Sequence, residues 1–287
     1  MELVFHDGVR GGAAPDAAPR LAVLAAGAAV GPASAAPRAL LERVFALEPA
    51  RLLRRMPGRE TFAWPEHGPL VVKRYRGGET RDFLYDRLRR ARGPRSPGRR
   101  EWENLVALSA DGFDVPRALA WAEERGALGL ARARPGAAGA RSAVVMERIP
   151  FRASLREILG AAGPRGPWLE RLAALVARLH AGGWYHRDLY LHQIVVRDDG
   201  ALVLLDVGRA RRERAPRRRW YVKDLAALLA SAPAVVARHE RLRFLARYLE
   251  LRGLDPRARR AWARLVARKA ARLAAHTPAH VDPESSA

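Results

Sequence analysis

The sequence predicts an α+β fold in which a small β-rich part precedes a larger helical part. Hydrophobic residues make up 49% of the 287 residues but aromatic residues only 7%, which favours a helix-rich protein over an all-β one. Short runs typical of strands dominate before Pro150, and helical periodicity dominates after it. This order of strands and then helices indicates two segregated parts.

Three segments are expected along the chain. Residues 1–37 are rich in Gly, Ala and Pro, which predicts a variable or weakly ordered leader with a possible short strand at Leu3–Phe5. Residues 38–149 form the β-rich part. Residues 150–287 form the helical part and end in a short disordered tail.

Four elements are predicted in the β-rich part. Val71–Tyr75 begins with β-branched residues and lies between Gly-Pro and Gly-Gly, which indicates a strand. Arg99–Ser109 has helical spacing and ends at an Asp-Gly pair. We expect an edge strand at Ala118–Trp121 and a buried strand at Ser142–Ile149.

The helical part begins with a local signal for a helix start. Ser154 and Glu157 are spaced as a capping box for a short helix that runs through Leu159. Apolar residues then recur at helical spacing over Trp168–His180, so this segment is predicted to be a helix with one face in the core.

A hairpin and further helices complete the predicted elements. Two apolar runs, Ile194–Val196 and Leu202–Leu205, flank an Asp-Asp-Gly turn, which favours a hairpin. Helical patterns fill residues 220–276. Within them, Asp255 is the expected N-cap of a helix that has Pro256 at its first position.

Composition excludes several classes of protein. The chain has no cysteine, which excludes disulfides and thiolate metal sites and fits a reducing compartment. The longest apolar candidate, residues 21–30, is too short to span a bilayer. Acidic residues and prolines precede it, unlike in an export signal, so we expect a protein that is not exported.

The net charge of +22 predicts binding to polyanions. Only three of the 52 basic residues are lysines, and part of the arginine excess is consistent with genomic base bias. The candidate partners are nucleic acid, an acidic membrane surface and a phosphorylated glycolipid. Aromatic residues are not interleaved with the arginines, so no nucleic acid is expected.

Two tripeptides indicate phosphoryl transfer. His186-Arg187-Asp188 is followed eighteen residues later by Asp206-Val207-Gly208, and each aspartate ends a short apolar run. A strand, a turn and a second strand separate them. Phosphoryl transfer needs one aspartate that orients the attacking hydroxyl and another that holds the magnesium bridging the ATP phosphates.

Two longer segments, Tyr185–Leu191 and Trp220–Ala226, resemble the lipopolysaccharide core heptose kinase (WaaP-type) family. The resemblance covers roughly residues 40–275. It implies a protein-kinase-like fold of two lobes, with a small N-lobe at 38–149 and a larger C-lobe at 150–287. It also implies transfer of the ATP γ-phosphate to a heptose hydroxyl of the lipopolysaccharide inner core. The enzyme would be cytoplasmic and peripheral at the inner membrane of a Gram-negative-type cell.

The resemblance assigns the catalytic and metal roles. Asp188 is expected to activate the acceptor hydroxyl, the alternative being a turn aspartate that binds backbone amides. Asp206 is expected to bind Mg²⁺ through its carboxylate. The second ligand falls at Gln193, where heptose kinases usually have histidine, and the preceding His192 is the alternative. Either residue could equally belong to the core or a loop.

The resemblance also assigns nucleotide contacts before Pro150. Lys73 is expected to contact the α- and β-phosphates and to pair with Glu101, or failing that with Glu103; the alternative is a surface lysine. The phosphate loop would be the segment around Gly58, whose backbone amides could cap the phosphates. Backbone groups near Glu147 would contact adenine.

Three further features follow from the resemblance. Asp224 is expected to bind the backbone of the catalytic loop. The eighteen residues from Asp206 to Asp224 are too few for a long activation segment, which argues against a regulated protein kinase. Two arginine clusters are candidate contacts for an anionic acceptor, or else solvated basic faces: Arg209, Arg211, Arg212, Arg214, Arg217, Arg218 and Arg219, and Arg87, Arg89, Arg90, Arg92, Arg95, Arg99 and Arg100.

Two other functions remain open at this point. A pseudokinase or ATP-binding scaffold would account for the single glycine near Gly58 and for Gln193. A kinase for another small-molecule or protein acceptor would use the same motifs. Nucleotide binding without turnover would support the first, and phosphorylation of a sugar would decide against the second.

Overall fold

The computed structural model describes residues 4–5, 36–48, 51–64, 69–77, 95–124, 141–215 and 217–276. The chain divides into two compact units, Met1–Ile149 and Pro150–Ala287. Helices and antiparallel sheets are both present, which confirms the predicted α+β class. The predictions of a weakly ordered leader and of a disordered tail concern residues that mostly lie outside those described.

The described residues of the first unit form an antiparallel sheet and two helices. Its strands are β1 (Val4–Phe5), β2 (Arg51–Met56), β3 (Arg59–Trp64), β4 (Leu70–Arg76), β5 (Ala118–Glu123) and β6 (Arg141–Glu147). In the described residues the spatial order is β1-β5-β6-β4-β3-β2. The helices are α1 (Ala36–Ala46) and α2 (Pro97–Ala110), and both pack on the central strands β4, β5 and β6.

The two helices cover opposite faces of this sheet. Leu41 and Val44 of α1 belong to the same buried cluster as Val72 of β4. The next residue, Lys73, bonds to Glu101 of α2. Because successive side chains of a strand point to opposite faces, α1 and α2 lie on different sides of β4.

The strand at β5 corrects one prediction. Ala118–Trp121 is predicted to be an edge strand, but β5 lies between β1 and β6. Val4 pairs with Trp121, and Phe5 pairs with Ala120. The prediction was wrong because the covering strand comes more than a hundred residues earlier, which local periodicity cannot show.

Helix α2 begins two residues earlier than its spacing predicts. The Ser96 hydroxyl accepts a hydrogen bond from the Arg99 amide at 3.2 Å, and Pro97 follows at the first helical position. A Cβ at Gly98 would come within 2.8 Å of the Ala143 carbonyl oxygen on β6. Glycine therefore allows the start of α2 to approach the sheet closely.

The second unit is mostly helical. Its helices are α3 (Leu155–Gly160), α4 (Gly166–Ala181), α5 (Arg218–Ala230), α6 (Arg238–Leu251) and α7 (Arg259–His276). Its short strands are β7 (Ala153–Ser154), β8 (Trp184–Tyr185), β9 (Ile194–Val196), β10 (Leu202–Leu204) and β11 (Arg211–Arg212). They form one sheet in the order β10-β9-β7 and a second pair, β11-β8, all antiparallel.

Several local predictions are confirmed in this unit. Ser154 and Glu157 form the capping box of α3. The apolar stripe predicted for α4 is buried, and β9 and β10 form the predicted hairpin with Gly200 at φ +80° in its turn. Asp255 accepts a hydrogen bond from the Arg257 amide at 2.8 Å and caps a 3₁₀ turn ahead of α7.

An apolar cavity of about 400 Å³ lies among the helices of the second unit. Leu172 of α4, Leu228 of α5, Leu245 of α6 and Val266 of α7 are among its lining residues, and none of the predicted site residues lines it. Among the described residues, no helix combines the length and the apolar character needed to cross a membrane.

Candidate active site

In the first unit, Lys73 and Glu101 form a buried ion pair. Lys73 Nζ lies 2.5 Å from Glu101 Oε1, and the two residues are 7% and 1% exposed. The Tyr75 hydroxyl donates to the other oxygen, Glu101 Oε2. Lys73 and Tyr75 are two residues apart on β4 and so face the same side of the sheet. Both carboxylate oxygens of Glu101 are therefore engaged from one strand.

Glu103, the alternative partner of Lys73, has other partners. Arg95 Nη1 and Arg99 Nε donate to its two oxygens at 2.8 and 2.9 Å. Burial opposes ionisation of Glu103, but these bonds and charges hold its pKa below the ordinary value. Of the two glutamates, Glu101 is the one that pairs with Lys73.

The turn at Gly58 joins β2 to β3 and is fixed to the end of β4. Gly58 has φ +71°, and its carbonyl oxygen accepts a hydrogen bond from the Arg76 amide at 2.8 Å. A Cβ at this position would lie 2.9 Å from the Arg76 carbonyl oxygen. From Arg59 the chain forms β3, which pairs with β2 and β4 and in which Phe62 is buried. The turn at residues 57–58 is therefore the part of this segment that lies outside the strands.

Glu147 closes β6, and its polar groups are largely engaged. Its amide donates to the Arg117 carbonyl oxygen at 3.0 Å, and its Oε1 lies 2.5 Å from Arg117 Nη2. The next amide, Arg148, donates to the Pro69 carbonyl oxygen at 2.6 Å. Adenine recognition by backbone N–H groups would therefore fall after Arg148 rather than at Glu147.

In the second unit, Asp224 holds the loop that carries Asp188. Asp224 lies on α5 and is fully buried. Its carboxylate accepts hydrogen bonds from the backbone amides of His186 and Arg187 at 2.6 and 2.7 Å. This is the loop-binding contact that the resemblance implies. His180 Nε2 also lies 3.4 Å from the same carboxylate.

The segments carrying Asp188 and Asp206 are joined directly. His186 Nε2 lies 3.1 Å from the carbonyl oxygen of Leu205, which precedes Asp206. The Leu205 amide in turn donates to the Gln193 carbonyl oxygen at 2.8 Å. Gln193, Leu205 and His186 thus place the three predicted functional segments side by side.

Backbone strain is found at the same place. Among the described residues, two that are not glycine have positive φ: Arg187 at +74° and Asp206 at +51°. Such conformations are uncommon outside glycine and cluster at functional sites, where the surrounding structure holds them. One precedes Asp188, and the other is the predicted metal ligand.

Two cations that the sequence analysis did not place beside Asp188 lie against it. Arg209 Nη1 is 3.0 Å from Asp188 Oδ2, and Lys223 Nζ is 3.4 Å from Asp188 Oδ1. Burial lowers the pKa of the Lys223 ammonium, as do Arg209 and Arg187, while Asp188 opposes the shift. A signal for Lys223 was present, because it immediately precedes the aspartate that binds the catalytic loop.

The second segment that carries the resemblance, Trp220–Ala226, has a structural explanation. Trp220 stacks on Tyr185 with ring centroids 5.2 Å apart and an interplanar angle of 5°. Lys223 reaches Asp188, and Asp224 binds the loop backbone. The first turns of α5 therefore contact the catalytic loop at three points.

Gln193 and His192 occupy different environments. Gln193 is 8% exposed and ends a 3₁₀ turn beside Leu205, whereas His192 is exposed and stacks on Tyr190 at 5.5 Å. Burial and the Asp188 charge raise the pKa of the Tyr190 hydroxyl. No group of three or more His, Asp or Glu side chains suited to a metal occurs in the described part of the chain. Asp206 and Gln193 carry oxygen donors on adjacent segments, and these donor types suit Mg²⁺, which takes few protein ligands beside phosphates and water.

The arginine clusters differ in how their members are used. Arg95 and Arg100 are buried, and Arg99 binds Glu103, so these three serve the first unit internally. Arg87, Arg89, Arg90 and Arg92 lie outside the described residues. In the other cluster Arg211 is buried and Arg209 binds Asp188, and the exposed members are Arg212, Arg214, Arg217, Arg218 and Arg219.

Comparison with known proteins gives a consistent family. Residues 49–248 match the model of the lipopolysaccharide kinase (Kdo/WaaP) family. The chain is 30% identical to the lipopolysaccharide core heptose(I) kinase WaaP of Pseudomonas aeruginosa, over 72% of this chain and 79% of that protein. It is 32% identical to a 3-deoxy-D-manno-octulosonic acid kinase of Stenotrophomonas maltophilia, over 57% of this chain and 61% of that one.

A solved structure of the bifunctional kinase-methyltransferase WbdD also matches, at 18% identity and a TM-score of 0.40, over 75% of this chain and 47% of that chain. The family match spans both the Lys73–Glu101 pair and the segments around Asp188 and Asp206. It covers well over half of the 287 residues. The chain therefore belongs to the lipopolysaccharide kinase (Kdo/WaaP) family.

Proposed function

We propose that this protein transfers the γ-phosphate of ATP to a heptose hydroxyl of the lipopolysaccharide inner core. Its family supports a phosphotransferase with a protein-kinase-like fold that acts on a lipopolysaccharide sugar. The observation that carries the proposal is the His186–Leu205 bond, which holds the segments of Asp188 and Asp206 together. A base for the acceptor hydroxyl beside a ligand for the metal is what phosphoryl transfer requires.

Asp188 would accept the proton of the attacking hydroxyl. Its side chain is 28% exposed, so a substrate oxygen can approach it despite Arg209 and Lys223. Asp224 fixes the loop backbone before substrate binds, which reduces the cost of orienting the base. These contacts also disfavour the alternative that Asp188 is only a turn residue, because Asp224 already binds the loop amides.

Asp206 and Gln193 would hold Mg²⁺, and the buried position of Gln193 favours it over the exposed His192. The ion, when bound, neutralises charge on the nucleotide phosphates. We expect Asp206→Ala to abolish Mg²⁺-dependent ATP binding, measured by titration with and without the metal. Undiminished affinity for Mg·ATP would remove Asp206 from this role.

Lys73 would contact the α- and β-phosphates, with Glu101 as its anchor. The pair is rigid because Tyr75 holds the second oxygen of Glu101. The turn at Gly58 and the backbone beyond Glu147 would complete the nucleotide contacts of the first unit. We propose these nucleotide contacts, and ATP as the phosphate donor, as parts of the same function.

The similar proteins differ in the sugar that their names give as the acceptor. The heptose kinase aligns over a larger share of both chains than the 3-deoxy-D-manno-octulosonic acid kinases do. Heptose is therefore the proposed acceptor, and 3-deoxy-D-manno-octulosonic acid is the second candidate. The exposed arginines Arg212, Arg214, Arg217, Arg218 and Arg219 fit an anionic glycolipid and peripheral contact with the cytoplasmic face of an anionic membrane.

Transfer of labelled γ-phosphate from Mg·ATP to dephosphorylated core lipopolysaccharide tests the function. One acceptor preparation carries the inner-core heptose, and a truncated one ends at 3-deoxy-D-manno-octulosonic acid. Label in the heptose-bearing lipid alone, absent with Asp188→Ala, is the expected result. Label in both lipids would favour 3-deoxy-D-manno-octulosonic acid as the acceptor, because it is the sugar that both preparations contain. Tight ATP binding without labelled lipid would indicate a scaffold or a different acceptor.

A further inference from the structure

We propose that Lys223 is a catalytic residue, whose ammonium group contacts an oxygen of the phosphoryl group as it is transferred. The inference rests on the proposed function, because it concerns the reaction at Asp188. Lys223 lies on α5 within the Trp220–Ala226 segment, thirty-five residues from Asp188, and the resemblance carried by that segment assigns Lys223 no role in the reaction.

The position of Asp188 defines where the transferred group must lie. A base takes a proton from a hydroxyl oxygen about 2.6–3.2 Å away. That oxygen attacks a phosphorus atom about 3–3.5 Å further on. Lys223 Nζ lies 3.4 Å from Asp188 Oδ1. A cation at this distance from the base is within reach of the equatorial oxygens of the phosphoryl group.

The surroundings of Lys223 fix it before reaction. Trp220, one turn earlier on α5, stacks on Tyr185, and the adjacent Asp224 binds the loop amides. The Lys223 side chain is 18% exposed, so little water competes with its contacts. A cation held in place and partly desolvated stabilises developing negative charge without reorganising.

The two cations at Asp188 are suited to different tasks. Arg209 is closer, at 3.0 Å, and contacts both carboxylate oxygens, whereas Lys223 contacts only Oδ1. Arg209 is also more exposed, at 37%. Lys223 is one of three lysines beside a large excess of arginine. An ammonium is a compact point charge with donors that can be shared between base and phosphoryl group. Arg209 therefore holds Asp188, and Lys223 bridges from the base to the transferring group.

The absence of cysteine allows a chemical test in the full chain. In Lys223→Cys, the single thiol removes the ammonium, and alkylation with 2-bromoethylamine restores an ammonium at nearly the same place. We expect Lys223→Cys to lower kcat by about 100-fold and aminoethylation to restore most of the loss. Lys269→Cys on α7, treated identically, is the matched control and should retain wild-type turnover. Lys223→Met, which keeps the length of the side chain without its charge, should match Lys223→Cys.

Nucleotide affinity separates a phosphoryl contact from a structural role. A contact with the transferred group predicts that Lys223→Met weakens ATP binding but leaves ADP binding and the melting temperature unchanged. Equal losses for ATP and ADP, a turnover within about threefold of wild type, or no recovery on aminoethylation would each overturn the inference. If wild-type protein labels no lipid, the proposed acceptor fails, while ATP hydrolysis and the ATP-to-ADP affinity ratio still test Lys223.

Discussion

The ion pair of the first unit and the charged group of the second differ in how their carboxylates are used. Glu101 is 1% exposed, and Lys73 and Tyr75 engage both of its oxygens. Asp188 is 28% exposed and faces two cations at 3.0 and 3.4 Å. A saturated, buried carboxylate can only position its partner, whereas a partly exposed one can still accept a proton. Under the proposed function, Glu101 would position Lys73, and Asp188 would accept the proton of the acceptor hydroxyl.

The largest effect is expected at Asp188, the partly exposed carboxylate. Asp188→Ala should reduce turnover by about 1,000-fold or more, because general-base catalysis at the acceptor hydroxyl is lost. ATP affinity and the melting temperature should change little, since the loop backbone is bound by Asp224. Steady-state kinetics with a nucleotide titration checks this. A turnover within about threefold of wild type would assign the base elsewhere.

Removing a partner from the buried pair should instead affect folding. Lys73→Met leaves the Glu101 charge in a buried site and should lower the free energy of unfolding by roughly 3–5 kcal/mol. Lys73→Met combined with Glu101→Gln should recover much of that stability but not ATP binding. Urea unfolding of the three proteins measures the stabilities. A single variant as stable as wild type would show that the pair contributes no more than a surface salt bridge.

The stability of the protein should depend on pH through His180, which lies beside Asp224, the residue that binds the loop amides. His180 is buried between Asp224 and Tyr248, whose hydroxyl lies 2.8 Å from His180 Nδ1. Burial lowers the pKa of His180 below its ordinary 6.5, although Asp224 opposes the shift. Below about pH 6.5 the unfolded chain therefore binds a proton at His180 that the folded protein does not bind. The free energy of unfolding is not reduced by this group above that pH, and it decreases as the pH falls below it.

We expect the free energy of unfolding to decrease by roughly 1 kcal/mol per pH unit from this group as pH falls below 6.5. Urea unfolding between about pH 7.5 and pH 5.5 measures the slope. His180→Gln removes the titrating group and is the control, with a flatter profile. Identical slopes for the two proteins would contradict the assignment to His180.

Local signals predicted the elements that carry the site. The helix predicted over Arg99–Ser109 carries both candidate partners of Lys73, Glu101 and Glu103, and the structure pairs Glu101 with Lys73. The capping box at Ser154 is likewise confirmed. These predictions succeeded because capping and helical periodicity act within a few residues. The lysine-to-glutamate pairing also needed the resemblance, since its members are twenty-eight residues apart.

Contacts between distant segments were not predictable in the same way. Lys223 and Arg209 reach Asp188 across thirty-five and twenty-one residues. Helix α1 was missed because it begins in the Ala- and Pro-rich leader, although Leu40, Leu41 and Val44 recur at helical spacing and are buried. The Ala- and Pro-rich composition of the leader argued against a helix there, and packing against the sheet is what stabilises α1.

The smallest effect is expected at Glu103, two residues from Glu101 on the same helix. Its partner Arg99 also lies 3.7 Å from Glu123 Oε1, and the Glu103 side chain is 28% exposed. Glu103→Gln should therefore cost about 1 kcal/mol of stability or less and leave ATP affinity unchanged, whereas Glu101→Gln should weaken ATP binding. Unfolding and nucleotide titrations on the two variants make the comparison. Equal losses of ATP affinity would mean that α2, rather than the Lys73–Glu101 pair, determines the nucleotide contact.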